Sequence, residues 1–169
     1  MIIKGKVWKF GNNISTDLMM PSFAVKQNPN ITPLEASKYV MYSNRPGWVR
    51  LVNDGDLIVG GKNFGCGSSR VASEPLKALG IKGIIAESFA RIFFRNSIST
   101  GLPVMNAEGT SEFCEEGDIL QINFLTGEIV NEESKQTMKG DPLPKHSPPM
   151  EILNAGGIIE FLKKEYYTV

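Results

Sequence analysis

The sequence has few of the side chains that bind transition metals. Its 169 residues include two cysteines, Cys66 and Cys114, and one histidine, His146. Four cysteine thiolates usually hold an iron–sulfur cluster, and four cysteine or histidine side chains usually hold a structural zinc ion. We therefore expect this chain to bind no metal by itself, so that any metal chemistry needs ligands from another chain.

Excess charge of one sign and long apolar runs are also missing. The 18 lysines and arginines balance the 18 acidic residues, which argues against a nucleic-acid-binding protein because such proteins usually present a basic face. The longest apolar runs, such as GIIA and LIVG, are too short for a membrane-spanning helix. The opening residues, MIIKGKVWKF, lack the apolar stretch of a signal peptide. Together with the low cysteine count, these features predict a cytoplasmic protein.

The chain does contain alternating strand and helix patterns, and its 41% hydrophobic residues suffice for the core of one domain over residues 1–169. Apolar runs and hydrophobic periodicity predict the elements. Strands are expected at 2–10, 56–61, 83–88 and 102–105, helices at 32–41, 73–80, 89–100 and 150–167, and a hairpin at 117–132. Such alternation is typical of an α/β fold, and the hairpin makes its sheet mixed.

Helix ends are predicted from capping residues. Thr32 is expected to cap the helix that Pro33 begins, and Ser73 to cap the helix that Gly80 ends. The glycine pair Gly156 and Gly157 is expected to interrupt the C-terminal helix.

The segment GKNFGCGSSR, Gly61 to Arg70, follows a predicted strand and precedes a predicted helix. It is not a P-loop, because Lys62 precedes the glycines, and it lacks the G-x-G-x-x-G and G-x-S-x-G patterns. Glycines allow backbone N–H groups to turn toward a ligand, and an arginine binds a carboxylate through two parallel hydrogen bonds. Two interpretations remain open from the residues alone. The loop either binds a carboxylate beside a reactive serine or is a turn whose serines, Ser68 and Ser69, cap a helix.

This segment, together with ALGIKGIIAESFARIFFRN and GLPVM, resembles the aconitase family. Within that family the chain is similar to the small subunits of 3-isopropylmalate dehydratases, the free-standing form of the aconitase swivelling domain. The stretches KVWKFGNNISTDLMMP and PLEASKYVM extend the resemblance, which covers residues 2–124. It implies an α/β fold of three layers, β/β/α, with a mixed sheet, as in the aconitase C-terminal swivelling domain.

The resemblance also implies an activity and a partner. The chain would be the small subunit of a hydro-lyase that isomerises a hydroxy-dicarboxylic acid by dehydration and rehydration, a step of leucine biosynthesis. It would be active only with a large subunit, in a heterodimer or heterotetramer, and that large subunit would hold the 4Fe–4S cluster.

Site residues follow from the positions of the shared motif. The resemblance places the catalytic base on Ser68 and the substrate-carboxylate contact on Arg70. Ser69, Gly65 and Gly67 would support substrate binding. A free hydroxyl is a weak base at pH 7, so Ser68 would need cationic and N–H neighbours.

Other residues of the matching segments are expected to support the structure or the site rather than to react. Cys66 is expected to serve packing or spacing rather than metal binding. The resemblance suggests structural pairing for Arg91 and Arg95. Asp17 either orients the loop near the site or ends a turn.

The sequence departs from the family where the substrate side chain is selected. Common members continue from the arginine with Glu-His-Ala or Glu-Gln-Ala, whereas this chain continues with Val71 and Ala72. The expected substrate-selecting loop offers two apolar residues, Phe23 and Val25, which suit an isopropyl group, and Lys26, which suits an extra carboxylate. A homoaconitase-type or 2,3-dimethylmalate-type dehydratase is therefore an alternative.

Two non-catalytic functions are alternatives of another class. The chain could be an anion-binding module, or a partner that only shapes the cleft of the large subunit.

Overall fold

The computed structural model of the protein describes residues 1–67 and 70–166, and its strands form one mixed sheet. The strands are β1 (Ile2–Lys9), β2 (Leu57–Gly60), β3 (Gly83–Ala86), β4 (Val104–Asn106), β5 (Ile119–Asn123), β6 (Glu128–Asn131) and β7 (Thr137–Lys139). Their order across the sheet is β4-β3-β2-β1-β5-β6-β7. Neighbours from β4 to β1 are parallel, and neighbours from β1 to β7 are antiparallel.

The helices are mostly short. They are α1 (Thr16–Met19), α2 (Ser22–Gln27), α3 (Pro33–Ala36), α4 (Ser73–Leu79), α5 (Arg91–Ser99), α6 (Thr110–Phe113), α7 (Pro148–Ala155) and α8 (Ile158–Tyr166), with 3-10 turns at Ser37–Tyr39 and Trp48–Arg50. In the ranges described, no helix is both long and apolar enough to cross a bilayer.

Two hydrophobic cores lie on opposite faces of the parallel strands, because successive side chains of a strand point to opposite faces. On one face, the parallel strands pack against helices, and this core includes Ile58, Ile84, Leu76, Phe93 and Leu153. On the other face, they pack against the antiparallel strands, and this core includes Leu57, Val59, Ile85, Leu120, Ile122 and Ile129. The sheet therefore curls over itself, and the expected β/β/α layering with a mixed sheet is confirmed.

The curl is centred on β1, which belongs to both halves of the sheet. Residues 2–6 pair with β5, and residues 7–9 pair with β2. At the far edge, the backbone N–H of Asp141 donates to the carbonyl of Asn106 at 2.8 Å. This bridge joins the segment after β7 to the end of β4, so the sheet nearly closes on itself.

One predicted helix cap is confirmed. The Thr32 hydroxyl accepts from the N–H of Glu35 at 3.3 Å, and the Glu35 carboxylate accepts from the N–H of Thr32 at 2.9 Å, forming a reciprocal capping box. The helix it begins is shorter than predicted, since α3 ends at Ala36 and continues as a 3-10 turn.

The other predicted cap is wrong. The N-cap of α4 is Ala72, and Ser73 is its first helical residue. Ser73 is buried, and its hydroxyl oxygen accepts from the Thr100 hydroxyl at 3.0 Å instead of capping the helix. Gly80 ends α4 in the left-handed region as predicted, with φ 113°.

Candidate functional site

The glycine-serine loop leaves the end of β2 and runs beside the loop that follows β1. The N–H of Gly65 donates to the carbonyl of Ile14 at 2.8 Å, and the N–H of Thr16 donates to the carbonyl of Cys66 at 2.7 Å. Since β1 and β2 are parallel, their carboxyl ends lie at one edge of the sheet, which is where α/β proteins usually bind ligands.

Three asparagines join these loops, and none of them was predicted from the sequence. Asn13 and Asn63 both occupy the left-handed region, with φ 55° and 57°, and the Asn63 amide donates to the Asn13 side-chain oxygen at 2.9 Å. The N–H of Lys62 donates to the side-chain oxygen of Asn12 at 2.7 Å. Asparagine tolerates left-handed backbone. The residues Asn12, Asn13 and Asn63 could therefore have predicted a turn in each of the two loops.

A third loop, after β3, holds the glycine-serine loop from its other side. The N–H of Phe64 donates to the carbonyl of Ser88, and the N–H of Ala90 donates to the carbonyl of Phe64, each at 2.9 Å. Gly65 has φ 80°, and a Cβ built on it would lie 2.2 Å from the ring of Phe93. The Gly65 N–H is already bonded within the protein, so this residue acts by shaping the loop.

A fourth loop, after β4, is tied to the same edge by Glu87. Its carboxylate accepts from the N–H groups of Gly109 at 2.8 Å and Ser111 at 2.9 Å. Burial tends to raise the pKa of Glu87, but these hydrogen bonds outweigh that effect and hold the pKa below its usual value. A charged Glu87 therefore keeps the loops after β3 and β4 together near neutral pH.

Gly67 lies against the turn that begins α1. It has φ 92°, and a Cβ built on it would lie 3.2 Å from Cβ of Ser15. Ser15 caps α1 by accepting from the N–H of Leu18 at 3.3 Å. Gly67 is exposed, and within the described ranges its N–H has no hydrogen-bond partner.

Arg70 is anchored through one nitrogen of its guanidinium. Nη1 lies 3.0 Å from the carbonyl oxygen of Met20 and 3.1 Å from Oδ1 of Asp17. The Arg70 side chain is 33% exposed. No hydrogen bond or ion pair joins its Nη2 or Nε to a described residue, so two nitrogens of the planar group, with three N–H donors, remain for a ligand.

Arg70 borders a cleft of about 250 Å³ between α2, α3 and α4. Val25, Val71 and Glu74 also line this cleft. The rest of the lining is apolar apart from backbone atoms and comprises Met20, Ile31, Pro33, Ala36 and Pro75. A carboxylate on Arg70 would thus leave its apolar substituent facing a matching wall.

The predicted substrate-selecting residues of α2 do not all face this cleft. Val25 does, but Phe23 packs edge-to-face on Tyr39 and Tyr42, with ring centroids 5.6 and 5.7 Å apart. Lys26 is exposed and does not line the cleft. Val25 and Arg70 therefore line the same cleft, whereas Phe23 and Lys26 lie elsewhere on α2.

Ser68 and Ser69, the predicted base and its neighbour, lie outside the described residues. Their flanking residues, Gly67 and Arg70, are both at the edge described above. The assignments to Ser68 and Ser69 stay predictions from the sequence.

The thiols of this chain do not fit an iron–sulfur cluster. Cys114 is 3% exposed, and its thiol lies 3.7 Å from the carbonyl of Thr110. Desolvation raises the pKa of the Cys114 thiol to about 11, so it is a neutral thiol at pH 7. Cys66 is the other thiol, half-buried in the glycine-serine loop. Over residues 1–67 and 70–166, no three His, Cys, Asp or Glu side chains are grouped as metal ligands.

Arg91 and Arg95 do not show the structural pairing that the resemblance suggested. Both are exposed on α5, and neither forms an ion pair or hydrogen bond with a described residue. They line a separate pocket near the end of β4.

Comparison with known proteins gives consistent matches. The Aconitase C-terminal domain family matches residues 28–108. The isopropylmalate/citramalate isomerase small subunit of Methanocaldococcus jannaschii is 50% identical over 97% of this chain and 95% of that protein. The 3-isopropylmalate dehydratase small subunit of Wolinella succinogenes is 44% identical over 96% of this chain and 94% of that protein.

A solved structure matches as well. The crystal structure of a 3-isopropylmalate dehydratase from Methanocaldococcus jannaschii superposes with a TM-score of 0.91 at 39% identity, covering 99% of this chain and 96% of that one. The agreement covers nearly the whole of both chains, including the parts where the sequence resemblance had been weakest, beyond residue 124.

Proposed function

This chain belongs to the aconitase family, where it falls among the small subunits of 3-isopropylmalate dehydratases, and we propose that its Arg70 edge binds the carboxylate of the substrate. The chain is thus the small subunit of a hydro-lyase that isomerises a hydroxy-dicarboxylic acid. The observation that carries the proposed role is the guanidinium of Arg70, which is held through Nη1 and open at Nη2 and Nε.

The anchoring of Arg70 favours carboxylate binding in a fixed orientation. Asp17 and Met20 restrain the guanidinium plane through one nitrogen, so little side-chain entropy is lost when a ligand binds the remaining donors. A charge-assisted, two-point contact of this kind contributes about 1.5–3 kcal/mol. Gly67, three residues earlier in the chain, is exposed, and its N–H has no partner among the described residues, so it can supply a further donor.

Ser68 is proposed as the base of the reaction. It removes the proton from the carbon next to a substrate carboxylate, while hydroxide leaves the neighbouring carbon and a double bond forms. The abstracted proton and the hydroxide together make up the one water that is lost. Water then adds back with hydroxyl and hydrogen exchanged between the two carbons, which gives the isomer. The Gly67 N–H and the Arg70 cation, which flank Ser68 and Ser69 in the sequence, stabilise negative charge on the serine oxygen.

The large subunit is proposed to hold the 4Fe–4S cluster, which supplies a Lewis acid to the leaving hydroxyl. This assignment is supported by the thiols of this chain, since one is buried in the core with a raised pKa. The two subunits would meet at the carboxyl edge of the parallel strands in a heterodimer or heterotetramer. The proposed setting is leucine biosynthesis in the cytoplasm.

The cleft beside Arg70 favours a substrate with an apolar substituent. Val25 and Val71 contribute apolar surface, and Glu74 would repel a third carboxylate. A 3-isopropylmalate-type substrate therefore fits better than the tricarboxylate of a homoaconitase. A dimethylmalate-type substrate, which is also apolar at this position, is the second candidate.

The proposed roles are tested by assaying the chain with its large subunit. Ser68→Ala should lower kcat about 10²–10⁴-fold, which is the usual contribution of general base catalysis, while substrate still binds. Ser69→Ala is the matched control and should retain more activity. Equal, small losses in both variants would show that the chain is an anion-binding module without a catalytic serine.

Arg70→Lys tests whether Arg70 binds the substrate carboxylate or only helps to shape the cleft. A lysine keeps the charge but loses the planar two-point contact, so kcat/KM should fall about 10–100-fold, equivalent to about 1.5–3 kcal/mol. Unchanged kinetics in this variant would mean that the chain only shapes the cleft of its partner.

A further inference from the structure

The two arginines of α5 stand in positions that oppose helix stability. Arg91 and Arg95 are one turn apart, where like charges repel each other, and Arg91 is the first residue of the helix, where the positive end of the helix dipole disfavours a cation. Neither guanidinium is neutralised by a described acidic residue. An anion at this place would relieve both unfavourable interactions.

The surroundings of the arginines form a pocket for such an anion. Phe89, Phe94 and Asn106 complete the lining, and the volume is about 260 Å³. Aromatic walls reduce solvent screening and strengthen a charge pair that forms between them. The side-chain oxygen of Asn106 is buried and accepts no hydrogen bond from the described residues. An acceptor oxygen needs an N–H or O–H donor, so it does not attract the anion, which the two guanidinium groups would hold.

The pocket lies on the edge of the sheet that carries the proposed site. Asn106 is the last residue of β4, and Phe89 follows β3 and forms a bridge with Phe64 of the glycine-serine loop. Phe64 and Phe93 fill the space between that loop and α5, with ring centroids 5.7 Å apart. The pocket therefore lies on the same edge of the sheet as the Arg70 cleft but shares no lining residue with it.

We infer that the two arginines of this pocket, Arg91 and Arg95, bind acidic side chains of the large subunit and fix how the two subunits dock. The inference rests on the proposed function, because the large subunit covers this edge only if it completes the Arg70 site. Arginine is enriched at the centres of protein interfaces, where it pairs with carboxylates in two-point contacts. The occupant is a carboxylate pair or cluster, since two cations one helix turn apart match two negative charges.

The test measures the affinity of this chain for its large subunit by titration calorimetry. Arg91→Ala and Arg95→Ala should each raise the Kd about tenfold, and the double variant about 30–100-fold. The dependence of log Kd on log salt should become shallower in the double variant, because fewer charge pairs form. Arg50→Ala is the matched control, since Arg50 is also exposed and unpaired among the described residues but precedes β2, away from this edge. Its Kd should stay within about twofold.

Two further measurements decide between the outcomes. At saturating large subunit, kcat of the double variant should return to near the wild-type value, because the pocket touches no reacting atom. A wild-type Kd in the double variant overturns the inference, and the proposed function then still stands if Ser68→Ala abolishes turnover. Failure of the unmodified chain to support turnover with any cluster-bearing subunit overturns the proposed function itself.

A last experiment uses this chain without its large subunit. Adding citrate at millimolar concentration, with amide NMR shifts of α5 as the readout, should leave Arg91 and Arg95 unaffected. Saturable shifts there that vanish in the double variant would identify a small-anion site and overturn the docking role.

Discussion

Asp17 and Arg70 form an ion pair across the site, with Oδ1 and Nη1 3.1 Å apart. Asp17 lies in the first turn of α1, after β1, and Arg70 lies in the segment after β2. The same Nη1 also donates to the carbonyl of Met20. Because both contacts use one nitrogen, Asp17 orients the guanidinium without occupying the edge proposed for the substrate. Of the two parts that the sequence left open for Asp17, this geometry supports orientation of the site.

Asp17→Asn should therefore affect catalysis more than folding. The pair is partly exposed, and exposed ion pairs contribute about 0–1 kcal/mol to stability, so the thermal midpoint should shift little. A less firmly held Arg70 should lower kcat/KM about tenfold, mainly through KM. Steady-state kinetics and thermal melts measure both effects. Asp54→Asn, which removes the exposed Lys82 pair, is the control and should leave kinetics unchanged.

Val25→Lys should shift substrate preference toward a third carboxylate. The substitution places a cation in the apolar cleft beside Arg70, and adding Glu74→Gln removes the repulsion. The ratio of kcat/KM for homocitrate to kcat/KM for isopropylmalate should rise at least about tenfold, in line with the about 1–3 kcal/mol that a pocket change contributes to selectivity. Lys26→Val is the control, because Lys26 does not line the cleft. If Lys26→Val moves the ratio more than Val25→Lys, the assignment of the cleft is wrong.

Gly65→Ala should be among the most destabilising single-methyl additions in the chain. The new methyl group would meet the ring of Phe93 at 2.2 Å, and the residue would be held at φ 80°. Left-handed backbone costs about 1–2 kcal/mol for a residue with Cβ, and overpacking adds about 1–3 kcal/mol. Gly47→Ala measures the backbone cost without the overpacking, because Gly47 has φ 81° and nothing lies within 4 Å of the added methyl group. Denaturant unfolding should show a loss of about 1–2 kcal/mol for Gly47→Ala and clearly more for Gly65→Ala.

Cys114 should make stability fall in alkaline solution. Burial raises the pKa of its thiol from about 9 to about 11, so the unfolded chain loses this proton at lower pH than the folded chain. The resulting contribution is fully present below pH 9 and is lost as the pH rises toward 11, by about 2–3 kcal/mol in all. Unfolding free energies at pH 8.5, 9.5 and 10.5 should decline less steeply in Cys114→Ala than in the unmodified chain. Parallel declines in the two proteins would contradict this account.

The strands were predictable where they are buried on both faces. Runs such as LIVG and GIIA belong to β2 and β3, and Thr126 and Gly127 form the predicted hairpin turn. The strand β7 was missed because its three residues, Thr137–Lys139, are too few and too polar to produce an apolar pattern. Its place depends on pairing with β6, which local sequence does not encode.

The site was predictable in type but less so in detail. The motif led to Arg70 and to the left-handed glycines Gly65 and Gly67. It predicted a loop at the substrate-selecting residues, where the structure has the helix α2, and so did not reveal which of them faces Arg70. A six-residue segment is too short to show a clear helical pattern. The expected cap at Ser73 failed because a buried hydrogen bond with Thr100 competes for its hydroxyl.

The sharing of β1 between both halves of the sheet has a mechanical consequence. Val7 joins the two halves at their junction, because its N–H donates to the carbonyl of Asp118 and its carbonyl accepts from the N–H of Gly117, each at 2.9 Å, while it is in register with Leu57 of β2. Bending the strand there would break these bonds and open the core between the two halves. We therefore expect the whole small subunit to move as a single rigid body relative to the large subunit when substrate enters and product leaves.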